Sequence, residues 1–282
     1  LQSLLTPDVD TAIFSGALDV LGKVLEVPGA RDQIATYNST LITSIVASLQ
    51  SKLSDSDLPC VRVGYRLIAG LSSDRVFCEA ILHNAPSLLD TLADVLDKST
   101  RDLDVCLNSC KAIEKLGSFG LSQSIDSKLI RAIINALGSG IFTGQQLAPP
   151  LSALDVLVTK SDENMLIVGD NGGIEIVLNK IKETISLVQV QEIACLLISH
   201  LASIAINCYH ISPESFVNVP GISPEVLAGA NHGGKGVQLL FASHSKYPDN
   251  ASIKDSYTRT LELIEAAKIP KKGGLMSLFK HK

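Results

Sequence analysis

Apolar residues recur along the chain with the spacing of a helix that is buried along one side. In Ala17–Val24, Gly64–Leu71 and Ser109–Leu116, small or apolar residues lie at positions i, i+3, i+4 and i+7. This period of about 3.6 residues indicates amphipathic helices. The alternation of apolar and polar residues that is typical of strands is missing over several segments. The pattern therefore predicts an all-α fold.

The helical blocks recur at a nearly constant interval. These three blocks belong to a series of six. The last residues of the six blocks lie at positions 24, 71, 116, 157, 201 and 264, with steps of 47, 45, 41, 44 and 63 residues. A second series of apolar runs, aligned separately, ends at positions 49, 96, 137, 181 and 244, with steps of 47, 41, 44 and 63 residues. A period in the forties is typical of stacked helical repeats, which bury their apolar faces against each other. The chain is therefore predicted to be an α-solenoid, an architecture suited to binding.

A third, shorter helix is predicted before the first helix of several units, for example over Asp74–Ile81 and Asp162–Val168. In the second case the two glycines Gly172 and Gly173 separate the short helix from the long one. Glycine accepts positive φ, which allows a sharp corner between two helices. The sequence therefore predicts units of three helices with a tight turn between the first two.

The stretch from Glu163 to Leu178 resembles the first two helices of an armadillo repeat, and the stretch from Val226 to Leu240 repeats the pattern with Gly233 and Gly234. The resemblance to the armadillo family covers about five units. It implies a right-handed α-solenoid in which the last helix of each repeat lines a concave groove. The HEAT family, with two helices per unit and usually without that corner, is the alternative.

The repeats predict one solenoid over residues 1–268, with about five to six repeats. The last step is longer than the others, and the extra length falls in a long loop near 207–224, where three prolines exclude a continuous helix. This loop either packs Phe216 onto the repeats or contacts a partner. Residues 269–282 are predicted to be a basic, flexible tail. Its residues Lys271, Lys272 and Phe279 are candidates for docking on a partner or for weak contact with an anionic membrane.

The composition limits the classes of partner and compartment. A net charge of -5 gives no reason to expect nucleic acid, and no apolar run reaches the ~18 residues of a membrane span. Five of the six cysteines, all but Cys208, lie in or beside apolar helical runs, which favours reduced thiols and a cytoplasmic location. The chain starts at Leu1 without Met, so we expect the natural N-terminus, with any lipidation signal, to be missing.

The sequence carries no pattern of a known catalytic or cofactor site. The glycines have no phosphate-loop or dinucleotide spacing, and neither the His-Glu-x-x-His nor the Gly-x-Ser-x-Gly pattern occurs. Cys208 and His210 lie close together in the sequence but have no third or fourth metal ligand nearby. We therefore predict a non-enzymatic protein without a metal or cofactor.

The groove positions implied by the armadillo resemblance differ from those of importin-alpha. That protein holds basic peptides with a Trp and, four residues later, an Asn on the last helix of each repeat, whereas this chain has no Trp. Instead, Arg62 and Arg66 lie one helical turn apart, as do Lys111 and Lys115. If adjacent repeats stack, these cations share one side of the groove and suit an acidic peptide or helix, similar to the lysine-lined groove of beta-catenin.

Two interpretations of these four cations stay open at this point. Either they form a basic patch for an acidic partner, or they form a solvated charged face that Asp102, Asp104 and Glu114 offset. Two functions follow from the solenoid: an adaptor that binds a protein partner, or a structural module of a larger cytoskeletal or membrane-associated assembly. The adaptor is expected to be a monomer, whereas the assembly module is expected to expose an apolar end or face and to associate with itself.

Overall fold

The computed structural model describes residues 2–6, 8–27, 29–30, 39–54, 58–98, 102–119, 127–212 and 236–268. These residues form fourteen α-helices and two short 3-10 helices, and none of them lies in a strand. The chain divides into two compact units, Leu1–Lys160 and Ser161–Lys282. The prediction of an all-α fold built from helical repeats is confirmed.

Among the described residues of unit 1, a 3-10 helix at Gln2–Leu4 precedes eight α-helices. Their bounds are α1 Thr11–Val24, α2 Ser39–Ser54, α3 Leu58–Leu71, α4 Arg75–Asn84, α5 Leu88–Lys98, α6 Leu103–Phe119, α7 Ser127–Gly138 and α8 Ala148–Val158. A second 3-10 helix at Gly144–Leu147 leads into α8, which has Pro149 and Pro150 in its first turn. Proline suits this position because the first helical N–H groups have no partner within the helix.

The helices of unit 1 stack in two rows, as the two sequence series predict. Helices α1, α3, α6 and α8 contact one another in that order and are called the third helices below. Helices α2, α5 and α7 form the other row, and each packs against the third helix that follows it. Leu49 of α2, Leu92 of α5 and Ile133 of α7 are fully buried between the rows. The apolar face of each helix is therefore covered by its own repeat and by the adjacent one.

Unit 2 repeats the same arrangement with α9 Asp162–Asp170, α10 Gly173–Glu183, α11 Val188–Leu201, α12 Ala205–Ile211, α13 Gly236–Lys246 and α14 Ala251–Ala267. Helix α10 packs against α11 and α13. Helices α11 and α14 belong to the same sequence series as the third helices of unit 1, and they pack against each other. The short helices α9 and α12 also contact each other. Asn207 of α12 joins them, since its amide donates to the carbonyl oxygen of Met165 in α9 at 3.1 Å.

The short helices predicted from the sequence are present as α4 and α9. Asp74 caps α4, because its side chain accepts from the backbone N–H of Val76 at 2.9 Å. Gly172 precedes α10 with φ of 72°, a left-handed conformation that glycine adopts without strain. The predicted corner between the first two helices is therefore confirmed at Gly172. Gly233 and Gly234 lie outside the described residues.

The start of the segment predicted as a loop near 207–224 is helical instead. Helix α12 extends over Ala205–Ile211, with Cys208, Tyr209 and Ile211 buried. The three prolines at 213, 220 and 224 all follow this helix, so they do not interrupt it. The remainder of that segment, including Phe216, and the tail 269–282 lie outside the described residues.

Candidate functional site

The third helices of unit 1 place charged residues at equal positions in consecutive repeats. When their last apolar residues at 24, 71 and 116 are aligned, Asp19 of α1, Arg66 of α3 and Lys111 of α6 share one position. All three side chains lie at the exposed surface. Because α3 contacts both α1 and α6, these residues lie along one continuous surface, which is called the third-helix surface below.

Arg62 is held by a structural carboxylate at the start of α6. One oxygen of Asp102 accepts from the backbone N–H of Val105 at 3.2 Å, which caps α6. The other oxygen accepts from Arg62 Nη2 at 2.6 Å, and only 6% of the Asp102 side chain is exposed. This hydrogen bond and the charge of Asp102 raise the pKa of Arg62 above its usual value. Arg62 therefore joins α3 to α6 through a carboxylate that also caps α6.

Arg66 and Lys111 are more accessible to a partner than Arg62. The Nη2 atom of Arg66 lies 3.4 Å from Oδ1 of Asp19, and the two side chains are 67% and 54% exposed. Such an exposed pair contributes about 0–1 kcal/mol and opens easily. Lys111 is exposed, and within the described residues the structure gives it no ion pair. Lys115 Nζ lies 3.1 Å from Glu114 Oε1 on the same helix.

The four cations thus lie on two contacting helices, and three of them have acidic neighbours. The carboxylates are Asp102, Asp19 and Glu114, with Asp104 a further 3.9 Å neighbour of Arg62. The interpretation as a charged face offset by acids therefore fits Arg62 and Lys115. Of the four cations, Arg66 and Lys111 are the two that an acidic partner can most easily reach.

A cleft between α1 and α3 adjoins Arg66 and has a volume of about 350 Å³. Apolar side chains from both helices form its walls: Leu18, Leu25, Val63, Leu67 and Leu71. Asp19, Lys23, Glu26 and Arg66 lie around it, so both charge signs are present. The cleft combines an apolar interior with polar groups, which is typical of a site that anchors a side chain of a ligand.

Two glycines keep this cleft open. A Cβ atom at Gly70 would have no described atom within 4 Å, and one at Gly22 would meet only Leu67 Cδ1, at 3.8 Å. Glycine inside a helix lowers helix stability by about 1 kcal/mol relative to alanine. The cleft was not predicted from the sequence, although glycines within two consecutive third helices were a signal for it.

The described cysteines are unsuited to nucleophilic chemistry at neutral pH. All six are buried and free of disulfides. Burial raises the pKa of the Cys78 thiol to about 11 and that of the Cys106 thiol to about 12, so these groups stay protonated. Cys110 lies one helical turn after Cys106 and is also fully buried, and burial raises its pKa too.

Neither a metal-binding cluster nor a membrane-spanning helix occurs among the described residues. Within those ranges, no group of three or more His, Cys, Asp or Glu side chains could hold a metal ion. In the same part of the chain, every helix is too short or too polar to cross a bilayer. The secondary candidates Phe216, Lys271, Lys272 and Phe279 lie outside the described residues.

The fold is similar to that of solved repeat structures. A designed armadillo repeat protein in complex with the peptide (KR)4 matches with a TM-score of 0.60 and 15% identity, over 93% of this chain and 97% of that one. A crystal structure of an engineered protein matches with a TM-score of 0.60 and 18% identity, over 94% and 95% of the two chains. No protein-family model matches the chain, and no curated protein is similar to it in sequence. The likeness therefore establishes an armadillo-like repeat fold.

Proposed function

We propose that this protein is a non-catalytic scaffold that binds a peptide or helix of a partner protein on the third-helix surface of unit 1. The observation that carries the proposal is the cleft between α1 and α3, with its apolar walls and charged surroundings. A partner would place an apolar side chain in the cleft and carboxylates beside Arg66 and Lys111. The fold supports this mode, because the similar designed armadillo protein is bound to a peptide.

The distance between the two cations fits an extended peptide. Arg66 and Lys111 lie at equal positions of two packed helices, whose axes are typically about 8–10 Å apart. An extended chain covers this distance in about three residues. One acidic side chain can replace Asp19 as the partner of Arg66, while a second one pairs with Lys111. Arginine can bind the first carboxylate with two hydrogen bonds.

We expect this chain and the designed protein to bind peptides of opposite charge. The peptide named with that protein is (KR)4, which is basic. On the third-helix surface, Arg66 and Lys111 are exposed cations, and the neighbour of Arg66 is the exposed carboxylate of Asp19, which an acidic side chain of a partner can replace. We therefore expect an acidic partner segment with at least one large apolar residue.

A selection from a peptide library tests the proposal. Random peptides displayed on phage are selected on the intact chain, and their affinity is then measured for the double variant Arg66→Glu, Lys111→Glu. The matched control is Arg75→Glu, Arg131→Glu, which makes the same charge change at exposed sites on α4 and α7. We expect peptides that combine Asp or Glu with an apolar residue, and a loss of at least about tenfold in affinity only in the first variant.

Two results would overturn parts of this proposal. If no peptide is enriched over an unrelated control protein, the peptide-binding function is wrong. If the enriched peptides bind the intact chain and both double variants equally, the acidic partner and the two cations are wrong. The variant Gly70→Phe adds a test of the cleft, since its side chain would fill the space that this glycine leaves open.

The same proposal includes a cytoplasmic location, supported by six buried cysteines without disulfides. Trapping thiols with a maleimide under denaturing conditions at cell lysis should modify all six, whereas a disulfide would argue for an oxidising compartment. The second candidate function, a module of a larger assembly, is favoured by exposed apolar residues on the outer face of α1.

A further inference from the structure

The charges at one position of three consecutive third helices follow a fixed order of sign. Asp19 of α1, Arg66 of α3 and Lys111 of α6 share this position, and all three side chains are exposed. Since α3 contacts both α1 and α6, the charges run minus, plus, plus across the third-helix surface. Ser152 has the same position in α8 and is uncharged. The row therefore carries three charges on three packed helices.

The role of Asp19 depends on whether a ligand is bound. In the free chain Asp19 Oδ1 lies 3.4 Å from Arg66 Nη2, and the two residues line the cleft from α1 and α3. A peptide carboxylate that binds Arg66 with two hydrogen bonds displaces Asp19. Asp19 then loses its ion pair while it stays next to the peptide. A ligand that also brings a base forms a second pair, with Asp19, whereas a ligand with the acid alone leaves Asp19 without one.

The other groups of α1 near the cleft do not change this sign. Ser15, one turn before Asp19, is uncharged. Lys23 and Glu26 follow Asp19 on the later turns of α1 and also line the cleft, and they contribute one charge of each sign. Gly70 of α3 has the position that corresponds to Lys23. Asp19 is therefore the charge of α1 that a ligand meets next to Arg66.

We infer that the ligand of this surface carries a base, an acid and a second acid in that order, and that Asp19 selects for the base. The inference rests on the peptide-binding function proposed above and specifies the charges of its partner. The base pairs with Asp19, the middle acid with Arg66 and the outer acid with Lys111. Successive charges lie about three residues apart in an extended peptide, since the helix axes are about 8–10 Å apart. A large apolar residue between the first two charges enters the cleft.

The stacking of the helices determines which charge of the peptide is the middle one. Because α3 packs on both α1 and α6, the charge that meets Arg66 is always central, whichever way the peptide runs. A peptide with a base between two acids would place like charges together at Asp19 and at Arg66. A peptide with three acids would place a carboxylate beside Asp19. Like charges at an interface lower affinity, so both of these patterns are disfavoured.

The random library displayed on phage tests this order when it is selected in parallel on the intact chain and on Asp19→Asn. On the intact chain we expect a Lys or Arg about three residues from an Asp or Glu, on the side away from the second acid. On Asp19→Asn the enrichment of the base should be lost while that of the acids stays, because the amide has no charge. Asp97→Asn, at an exposed site on α5, is the matched control and should retain the base.

Affinities of one peptide measure the same dependence. The most enriched peptide is synthesised together with a version in which its base is replaced by Gln, and both are measured by fluorescence anisotropy. On the intact chain the replacement should raise Kd by about two- to fivefold, the range of one exposed ion pair. On Asp19→Asn the replacement should leave Kd unchanged, because the base then has no charged partner.

The outcomes separate this inference from the function on which it rests. If the enriched peptides carry acids and depend on Arg66 and Lys111 but show no base, the inference is wrong while the peptide-binding function stands. Peptides with a base between two acids, or an equal effect of the Gln replacement on both chains, would overturn the inference in the same way. If no peptide is enriched over an unrelated control protein, the peptide-binding function is wrong, and this inference with it.

Discussion

Helices α1 and α6 occupy equal places in two repeats of unit 1, yet their apolar rows have opposite environments. Ile13, Val20 and Val24 of α1 correspond in register to Val105, Ala112 and Leu116 of α6. The three residues of α6 are fully buried, whereas those of α1 are about half exposed. Helix α6 packs between α3 and α8, while α1 packs on α3 alone among the third helices.

This difference shows that the hydrophobic pattern specifies a packing face but not the helix that covers it. In a repeat protein each unit contacts only its neighbours, so the same row is core in one repeat and surface in another. The comparison of α1 with α6 therefore separates the residues of one apolar row that are buried in the core from those that are not.

The difference in environment between α1 and α6 is tested most directly by truncating equivalent residues of the two helices. Leu116→Ala should lower the free energy of unfolding by about 2–5 kcal/mol, because it leaves a cavity in a close-packed core. Val24→Ala removes a half-exposed side chain and should change it by about 0.5 kcal/mol or less. Urea denaturation followed by circular dichroism measures both. Equal losses in the two variants would mean that α1 and α6 have the same environment.

Helix α3 packs on both α1 and α6, and two of its glycines lie in contrasting environments. A Cβ at Gly64 would overlap with Leu49 Cδ2, inside the core, whereas Gly70 borders the open cleft. Gly64→Ala should therefore destabilise the protein by about 1–3 kcal/mol through overpacking. Gly70→Ala should stabilise it by up to about 1 kcal/mol through higher helix propensity. Thermal unfolding should show melting temperatures that move in opposite directions, and a parallel shift would contradict the described packing.

The sequence was sufficient to predict the helices, their two rows and the corner at Gly172, because these depend on local spacing and on glycine. Asp102, Asp104 and Glu114 were also identified in advance as acids near the candidate cations, whereas Asp19 was not. The sequence was not sufficient to predict that Asp102 binds Arg62 while Asp19 binds Arg66. Those pairs join different repeats, and their geometry depends on how the helices stack. The helical start of the segment at 207–211 was missed for a similar reason, since its apolar residues are buried by tertiary contacts.

The smallest expected difference concerns the two ion pairs that α3 makes with its neighbours. Asp102→Ala removes the cap of α6 and the partner of Arg62, so we expect a loss of about 0.5–2 kcal/mol in the free energy of unfolding. Asp19→Ala removes only an exposed pair with Arg66, so the change should stay within about 0.5 kcal/mol.

Asp102→Asn separates the two roles of this aspartate, since an amide oxygen still caps α6 but no longer carries the charge that Arg62 meets. Its loss should lie between those of Asp102→Ala and Asp19→Ala in the same denaturation experiment. If Asp19→Ala proves as destabilising as Asp102→Ala, the Arg66 pair is structural. Arg66 would then be no more available to an acidic partner than Arg62, and Lys111 would remain as the cation of the candidate set that a partner can reach.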